Sequence, residues 1–222
     1  RQRRDFRMRR ETGRLGEKGV EKRFWPGGQP GRFMTAEGRE TSFTTNLLSH
    51  YMLVEGLIRR GAFGRERPLV INMTSGGGYN VPLNIGFLNQ TGAQGFNGTA
   101  AYGSHKRAQM VLNQYWRGRY GPQGYTFYVM HPGWADTEGV KKSLPRFRRI
   151  LAPALRDAAS GADTALWLAA TRPSQPDPES IWFDRKPRPA HVYARTRVTQ
   201  ETPASLLAFL DHELARLPEA MP

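Results

Sequence analysis

The chain has 222 residues and a formal net charge of +14, with 33 Lys and Arg against 19 Asp and Glu and no cysteine. That length suits one domain with a sizeable core, and the lack of cysteine excludes disulfides and thiol chemistry. No apolar run approaches the roughly 18 residues of a membrane span, the five histidines lack metal-ligand spacing, and no apolar h-region follows the Arg-rich start; a soluble, cytoplasmic protein is expected.

Residues 1–32 are rich in Arg and Gly, poor in aliphatics, and without helical or strand period. Such a composition cannot bury enough apolar surface to offset the entropy of ordering, so the segment is expected to be disordered. Residues 1–24 hold ten Lys/Arg and four Asp/Glu, a net +6 that is nearly half of the excess charge. Three readings fit: an inert tail, a basic arm for nucleic acid or another anionic surface, and out-of-frame translation of a GC-rich gene. The rest is mildly basic, so nucleic-acid binding is the weakest functional reading of the charge.

The character changes after residue 40. Phe43, Leu47, Tyr51, Val54 and Ile58 recur at helical spacing and predict a helix over 42–60, with Thr41 or Ser42 as its cap. Pro68 to Thr74 is a short apolar run bounded by Arg-rich residues and by Gly76-Gly77-Gly78, and reads as a buried strand. Residues 76–99 are rich in Gly and Asn and read as a long loop. A second helix is predicted over 100–118, with Ala101, His105, Ala108, Leu112 and Tyr115 on its packed side and Tyr102 and Lys106 on an edge that can face a cleft. Gly121-Pro122 breaks it, and 125–130 reads as a second strand. Strand, helix, strand is a βαβ crossover, so the sheet should be parallel and the hand right. Helices near 161–170 and 204–216 and a strand at 180–184 complete the expected α/β domain.

Tyr102 and Lys106 lie four apart and share one helix face. A free Tyr, with a pKa near 10, is a poor acid or base at neutral pH; a nearby cation favours its phenolate. A hydroxyl such as that of Ser75, at the end of the first strand, can hold a carbonyl oxygen for protonation. Together they make a proton-transfer device for interconverting an alcohol and a ketone. By itself Y-x-x-x-K also describes an exposed Tyr–Lys pair, so its weight comes from its setting.

That setting is an ordered series: Asn46 within Phe43-Thr44-Thr45-Asn46, Ser75 ending the first strand, Tyr102 and Lys106 opening the second helix, and Pro132-Gly133 with Thr137 after the second strand. From about residue 33 to the end, the text resembles the short-chain dehydrogenase/reductase superfamily, and within it the dehydrogenase/reductase family member 12-like branch. The resemblance implies an NAD- or NADP-dependent oxidoreductase acting on a small-molecule alcohol or carbonyl compound. It implies Tyr102 as proton donor or acceptor, and Lys106 as the residue that depresses its pKa and binds the nicotinamide ribose. Ser75 would hydrogen-bond the substrate oxygen, and Asn46 would anchor a water in a proton relay. Beyond the Pro132-Gly133 turn, which belongs to the cofactor site, Thr137 and the Ala135 backbone would hold the nicotinamide carboxamide. Leu144, Phe147, Ile150 and Leu151 in the segment 139–158 suggest an apolar substrate.

The resemblance also carries a departure. The family begins with a strand, a T-G-x-x-x-G-x-G turn that admits the pyrophosphate at a helix N-terminus, and further βα units; an N-N-A-G stretch follows. None has a counterpart here, and three βα units need on the order of 90 residues at about 30 each, whereas 45 precede Asn46. The expectation is a Rossmann-like parallel sheet in its C-terminal portion only. Residues 33–222 would be a partial domain without the N-terminal dinucleotide-binding units, and its cofactor site would be incomplete. The alternative is a non-enzymatic remnant that binds a partner, or a second copy as a homo-oligomer, through an exposed sheet edge.

Overall fold

The computed structural model describes residues 32–64, 67–92, 95–136 and 155–217. The segment 1–32, apart from Arg32, lies outside them, as do Thr137 and residues 139–154 with Leu144, Phe147, Ile150 and Leu151.

One four-stranded sheet carries the domain, in the order β1-β2-β3-β4. The strands are β1 Leu69–Met73, β2 Thr126–Met130, β3 Ser180–Phe183 and β4 Lys186–Pro189. β1 and β2 are parallel, with Leu69 opposite Thr126 and Met73 opposite Met130. β2 and β3 are parallel through Met130 and Trp182, and β3 and β4 are antiparallel. The expectation of a parallel sheet therefore holds for three strands and is corrected for the fourth. Lys186-Pro187-Arg188-Pro189 carries no strand signal, since proline cannot donate to a ladder. It pairs because Asp184 and Arg185 both take positive φ, 50° and 57°, the geometry of a two-residue type I′ hairpin turn. Ion pairs of Asp184 with Arg156 and of Arg185 with Asp163 hold that turn. Proline and charge suit an edge position. β1 forms the opposite edge, with no other strand beside it among the described residues.

Helix α1 runs in three continuous stretches: Thr41–Phe43, a π-helical turn Thr44–Leu48, and Ser49–Arg59. Its cap is Glu40 rather than Thr41 or Ser42: the carboxylate accepts from Ser42 N at 2.9 Å and Phe43 N at 2.7 Å. Helix α2, Gly98–Tyr120, is capped by Asn97 and crosses from β1 to β2. Helix α3 is Ala158–Thr171 and α4 is Pro203–Ala215, which opens on a reciprocal Thr202–Ser205 capping box.

Side-chain alternation along the strands builds a core on each face of the sheet. On one face, Val70 and Phe127 pack with Phe43, Leu47, Tyr51, Leu112, Trp116, Leu206 and Leu210 of α1, α2 and α4. On the other, Tyr128, Met130 and Trp182 pack on Leu168 of α3. Buried polar groups tie the helices together. Arg39 pairs with Glu213 at 2.9 Å, with both side chains nearly excluded from solvent, and Glu55 accepts from Trp116 Nε1 and Tyr120 Oη, each at 2.8 Å. The stretch 76–99, read from the sequence as a loop, is partly ordered into 3₁₀ turns at Gly76–Asn80 and Ile85–Phe87.

Candidate active site at the carboxyl ends of the parallel strands

The site lies where β1 and β2 end, the edge of an open α/β sheet at which ligands bind. β1 stops at Met73, and Thr74 clamps the strand end to α2 by donating from Oγ1 to the Lys106 carbonyl at 2.9 Å. The chain then turns sharply over α2. That approach needs glycine: a Cβ at Gly78 would sit 2.8 Å from Met110 Cε and 3.1 Å from the backbone at Lys106 and Arg107, well inside van der Waals contact. Ser75 opens this turn, its Oγ accepting from Gly77 N, and the turn packs on Tyr102, whose ring a Cβ on Gly77 would meet at 3.5 Å.

Tyr102 is largely buried. Burial pushes its phenol above the ordinary value, and the nearby Ser75 hydroxyl opposes that rise. The depression by Lys106 expected from the sequence does not outweigh this burial. The reason is where the ammonium goes. Lys106 Nζ sits 5.5 Å from the Tyr102 ring centroid and donates instead to the Met73 carbonyl and to Gln109 Oε1, each at 3.1 Å. Burial brings the Lys106 pKa down to about 8, because a charged ammonium loses hydration there.

Asn46 is buried in the π-helical turn of α1. Its backbone carbonyl oxygen accepts from Gln109 Nε2 at 2.6 Å, so the backbone at Asn46 joins Lys106 through the Gln109 side chain. The predicted residues Pro132, Gly133 and Ala135 follow β2. Gly133 has φ 77° and lies under the Arg156 guanidinium, which a Cβ would meet at 2.5 Å. Ala135 forms a parallel bridge with Arg156. This turn borders the Ser75 turn, because a Cβ on Gly76 would lie 3.3 Å from His131 Nε2 and 3.4 Å from Trp134 Nε1. The fold thus brings Ser75, Tyr102, Lys106 and Asn46 into one connected cluster with 132–135 beside it, while Thr137 lies outside the described residues.

Sequence reasoning missed three residues here. Gln109 follows Lys106 by one helical turn, and His50 follows Asn46 by one turn, so helical spacing alone could have flagged both. His131 ends β2 with its ring stacked on Phe183 at 5.2 Å, and nothing local marks it. Among the described residues no group of three or more His, Cys, Asp or Glu could hold a metal ion, and no helix is long and apolar enough to cross a membrane.

No protein-family model matches the chain. Dehydrogenase/reductase SDR family member 12 from Bos taurus is 40% identical over 188 residues, which is 83% of this chain and 57% of that protein. The chain belongs to the short-chain dehydrogenase/reductase superfamily. Retinol dehydrogenase 12 from Mus musculus is 28% identical over 170 residues, 75% of this chain and 52% of that protein. The chain spans little more than half the length of these curated relatives. The fold matches a crystal structure of an uncharacterized protein from Mycobacterium Paratuberculosis with a TM-score of 0.56 and 19% identity, over 82% of this chain and 61% of that one.

Proposed function

We propose that the chain carries the proton-transfer site of an NAD- or NADP-dependent oxidoreductase that interconverts an alcohol and a carbonyl compound. The observation that carries the proposal is that the Ser75 turn packs on the Tyr102 ring beside the buried Lys106 ammonium, at the carboxyl ends of two parallel strands. Residues 33–222 are read as part of a short-chain dehydrogenase domain in which the N-terminal dinucleotide-binding units are not represented. A cytoplasmic location belongs to the same proposal.

The residues present fit the nicotinamide-ribose end of such a cofactor. An ammonium has three N–H donors; Met73 and Gln109 take two of the Lys106 donors, which leaves one for a ribose hydroxyl. Thr137 and the Ala135 backbone, beyond the Pro132-Gly133 turn, are proposed to hold the carboxamide. When bound, a nicotinamide cofactor supplies or takes the hydride. In the reducing direction Ser75 Oγ donates to the substrate carbonyl oxygen and fixes it beside Tyr102. Tyr102 Oη gives its proton to that oxygen as negative charge develops there, so the phenol becomes a phenolate and the carbonyl an alcohol. Lys106 stabilises the phenolate electrostatically. An apolar substrate is the reading that agrees with the mouse relative's name, which specifies retinol.

A second reading rests on the outer edge of β1, which has no strand beside it among the described residues: a partner or a second copy would pair there. The deciding experiment joins residues 33–222 behind the N-terminal units of the bovine relative and follows oxidation of NADH and NADPH with long-chain aliphatic aldehydes. Aldehyde-dependent turnover with either cofactor is expected. A chimera that binds the cofactor by calorimetry yet turns over none of the aldehydes would contradict the proposed activity.

A further inference from the structure

Behind the site a chain of side-chain contacts leads from the Lys106 ammonium to the surface, and the proposed reaction leaves it unassigned. Lys106 Nζ donates to Gln109 Oε1 at 3.1 Å. The amide nitrogen of Gln109 lies 2.6 Å from the Asn46 carbonyl and 2.9 Å from His50 Nδ1. His50 Nδ1 itself lies 2.9 Å from the same Asn46 carbonyl. Gln109 is buried, while His50 is exposed. The π-helical turn Thr44–Leu48 presents the Asn46 carbonyl to both side chains; such turns recur at functional sites.

From this geometry we infer that Gln109 is a positioning residue for Lys106, and that the protonation of His50 sets how firmly the Gln109 amide is held on the Asn46 carbonyl. The inference rests on the role proposed above for Lys106. An amide has two N–H donors and one acceptor oxygen. With His50 Nδ1 bare, all three are used: one N–H to Asn46, one to His50, and the oxygen to Lys106. A proton on Nδ1 turns that nitrogen into a donor. It then competes for the Asn46 carbonyl and faces the Gln109 NH₂, donor against donor. A flip of the amide offers no relief, since its oxygen would then meet the Asn46 carbonyl; the NH₂ is instead displaced from that carbonyl, and the amide oxygen loses its hold on Lys106. The surroundings favour the neutral ring: although the residue as a whole is exposed, desolvation of the ring and the Lys106 charge across the helix interface both lower the His50 pKa, against the opposing hydrogen bond to Asn46 on its own helix. Lys106 is the charged group acting on His50, and Asn46 and Gln109 are the polar groups facing it.

The test follows the His50 ring and the Lys106 side chain by NMR across pH, on the full chain and without cofactor. In the wild type, the Lys106 signal should show a step at the His50 midpoint. His50→Gln should remove that step. Gln109→Glu, of the same size, should raise the Lys106 midpoint by about 1 pH unit or more, because a carboxylate replaces the amide oxygen. Gln109→Met should lower it by removing the acceptor. Should Gln109→Met fail to fold, Gln109→Glu and His50→Gln still decide. A Lys106 midpoint equal in wild type and Gln109→Glu would overturn the inference, as would a Lys106 signal without a step at the His50 midpoint. These readouts need no turnover. A silent chimera with the Lys106 steps intact would sink the oxidoreductase reading alone, and turnover with no steps would sink this inference alone.

Discussion

Acidification from pH 7 to pH 4 should cost this chain several kcal/mol of stability, beginning near pH 6.5, above the range in which exposed carboxylates protonate. Two buried histidines set that expectation. His105, fully buried in α2 with Nε2 on the Leu88 carbonyl, and His131, at the end of β2, each have a pKa brought down to about 4 by burial. Unfolded, each returns to 6.5. The folded values lie below the unfolded ones, so the unfolded state binds more protons as pH falls through 6.5. The stabilisation is fully present above pH 6.5 and is lost progressively down to pH 4. Each residue contributes about 3 kcal/mol to that loss, against a total of roughly 5–15 kcal/mol for a domain. Urea denaturation followed by circular dichroism at pH 7, 5.5 and 4.5 checks this. His105→Gln, which keeps a donor for Leu88 but cannot titrate, should flatten the acid limb by about half. Equal stability at pH 7 and 4.5 would show that the two rings are not held neutral. The neutrality of His105 matters to the site, because it adds no positive charge beside Lys106 at working pH.

Ser75→Ala should lower carbonyl-reducing turnover in the chimera by about 10²–10³, the loss that follows removal of one donor at a developing oxyanion. The variant removes the hydroxyl that holds the substrate oxygen and that opposes the rise of the Tyr102 phenol. It should leave the fold intact, since the link from Ser75 Oγ to Gly77 N is long, at 3.5 Å. Ser75→Thr, which retains the hydroxyl, should recover much of the rate. Steady-state kinetics with one aldehyde separates the outcomes: a fall confined to kcat supports the role, whereas a fall matched by lost helicity would mark Ser75 as structural.

The elements that were legible share one property: a strong local period bounded by a local stop. The apolar run before Gly76, the helical spacing of Phe43, Leu47 and Tyr51, and the break at Gly121-Pro122 all encode their elements directly. β4 was illegible because Lys186-Pro187-Arg188-Pro189 is a strand only by virtue of its neighbour, through a hairpin turn set by ion pairs from α3 and the 155–157 stretch. The Glu40 cap was missed for a related reason, since its carboxylate serves two backbone amides in place of the adjacent Thr and Ser. In the site, Ser75, Tyr102, Lys106 and Asn46 could be placed because strand ends and helix starts fix where side chains emerge. Their electrostatics could not. Whether Lys106 reaches the phenol or the Met73 carbonyl depends on Gln109 and on the depth of burial, and neither can be read from spacing.

The most direct measurement on the central claim pairs turnover with cofactor affinity in Tyr102→Phe, using the chimera with the bovine N-terminal units. Phe keeps the ring that packs beside Gly77, whose Cβ would lie 3.5 Å away, and removes only the proton that reaches the substrate oxygen. Turnover should fall by about 10²–10⁴, the contribution of general acid–base catalysis, while the calorimetric affinity for NADH or NADPH stays within about twofold, since the hydroxyl is not needed to hold the ribose. Turnover within a factor of a few of wild type, with cofactor affinity unchanged, would contradict the account and remove Tyr102 from the chemistry.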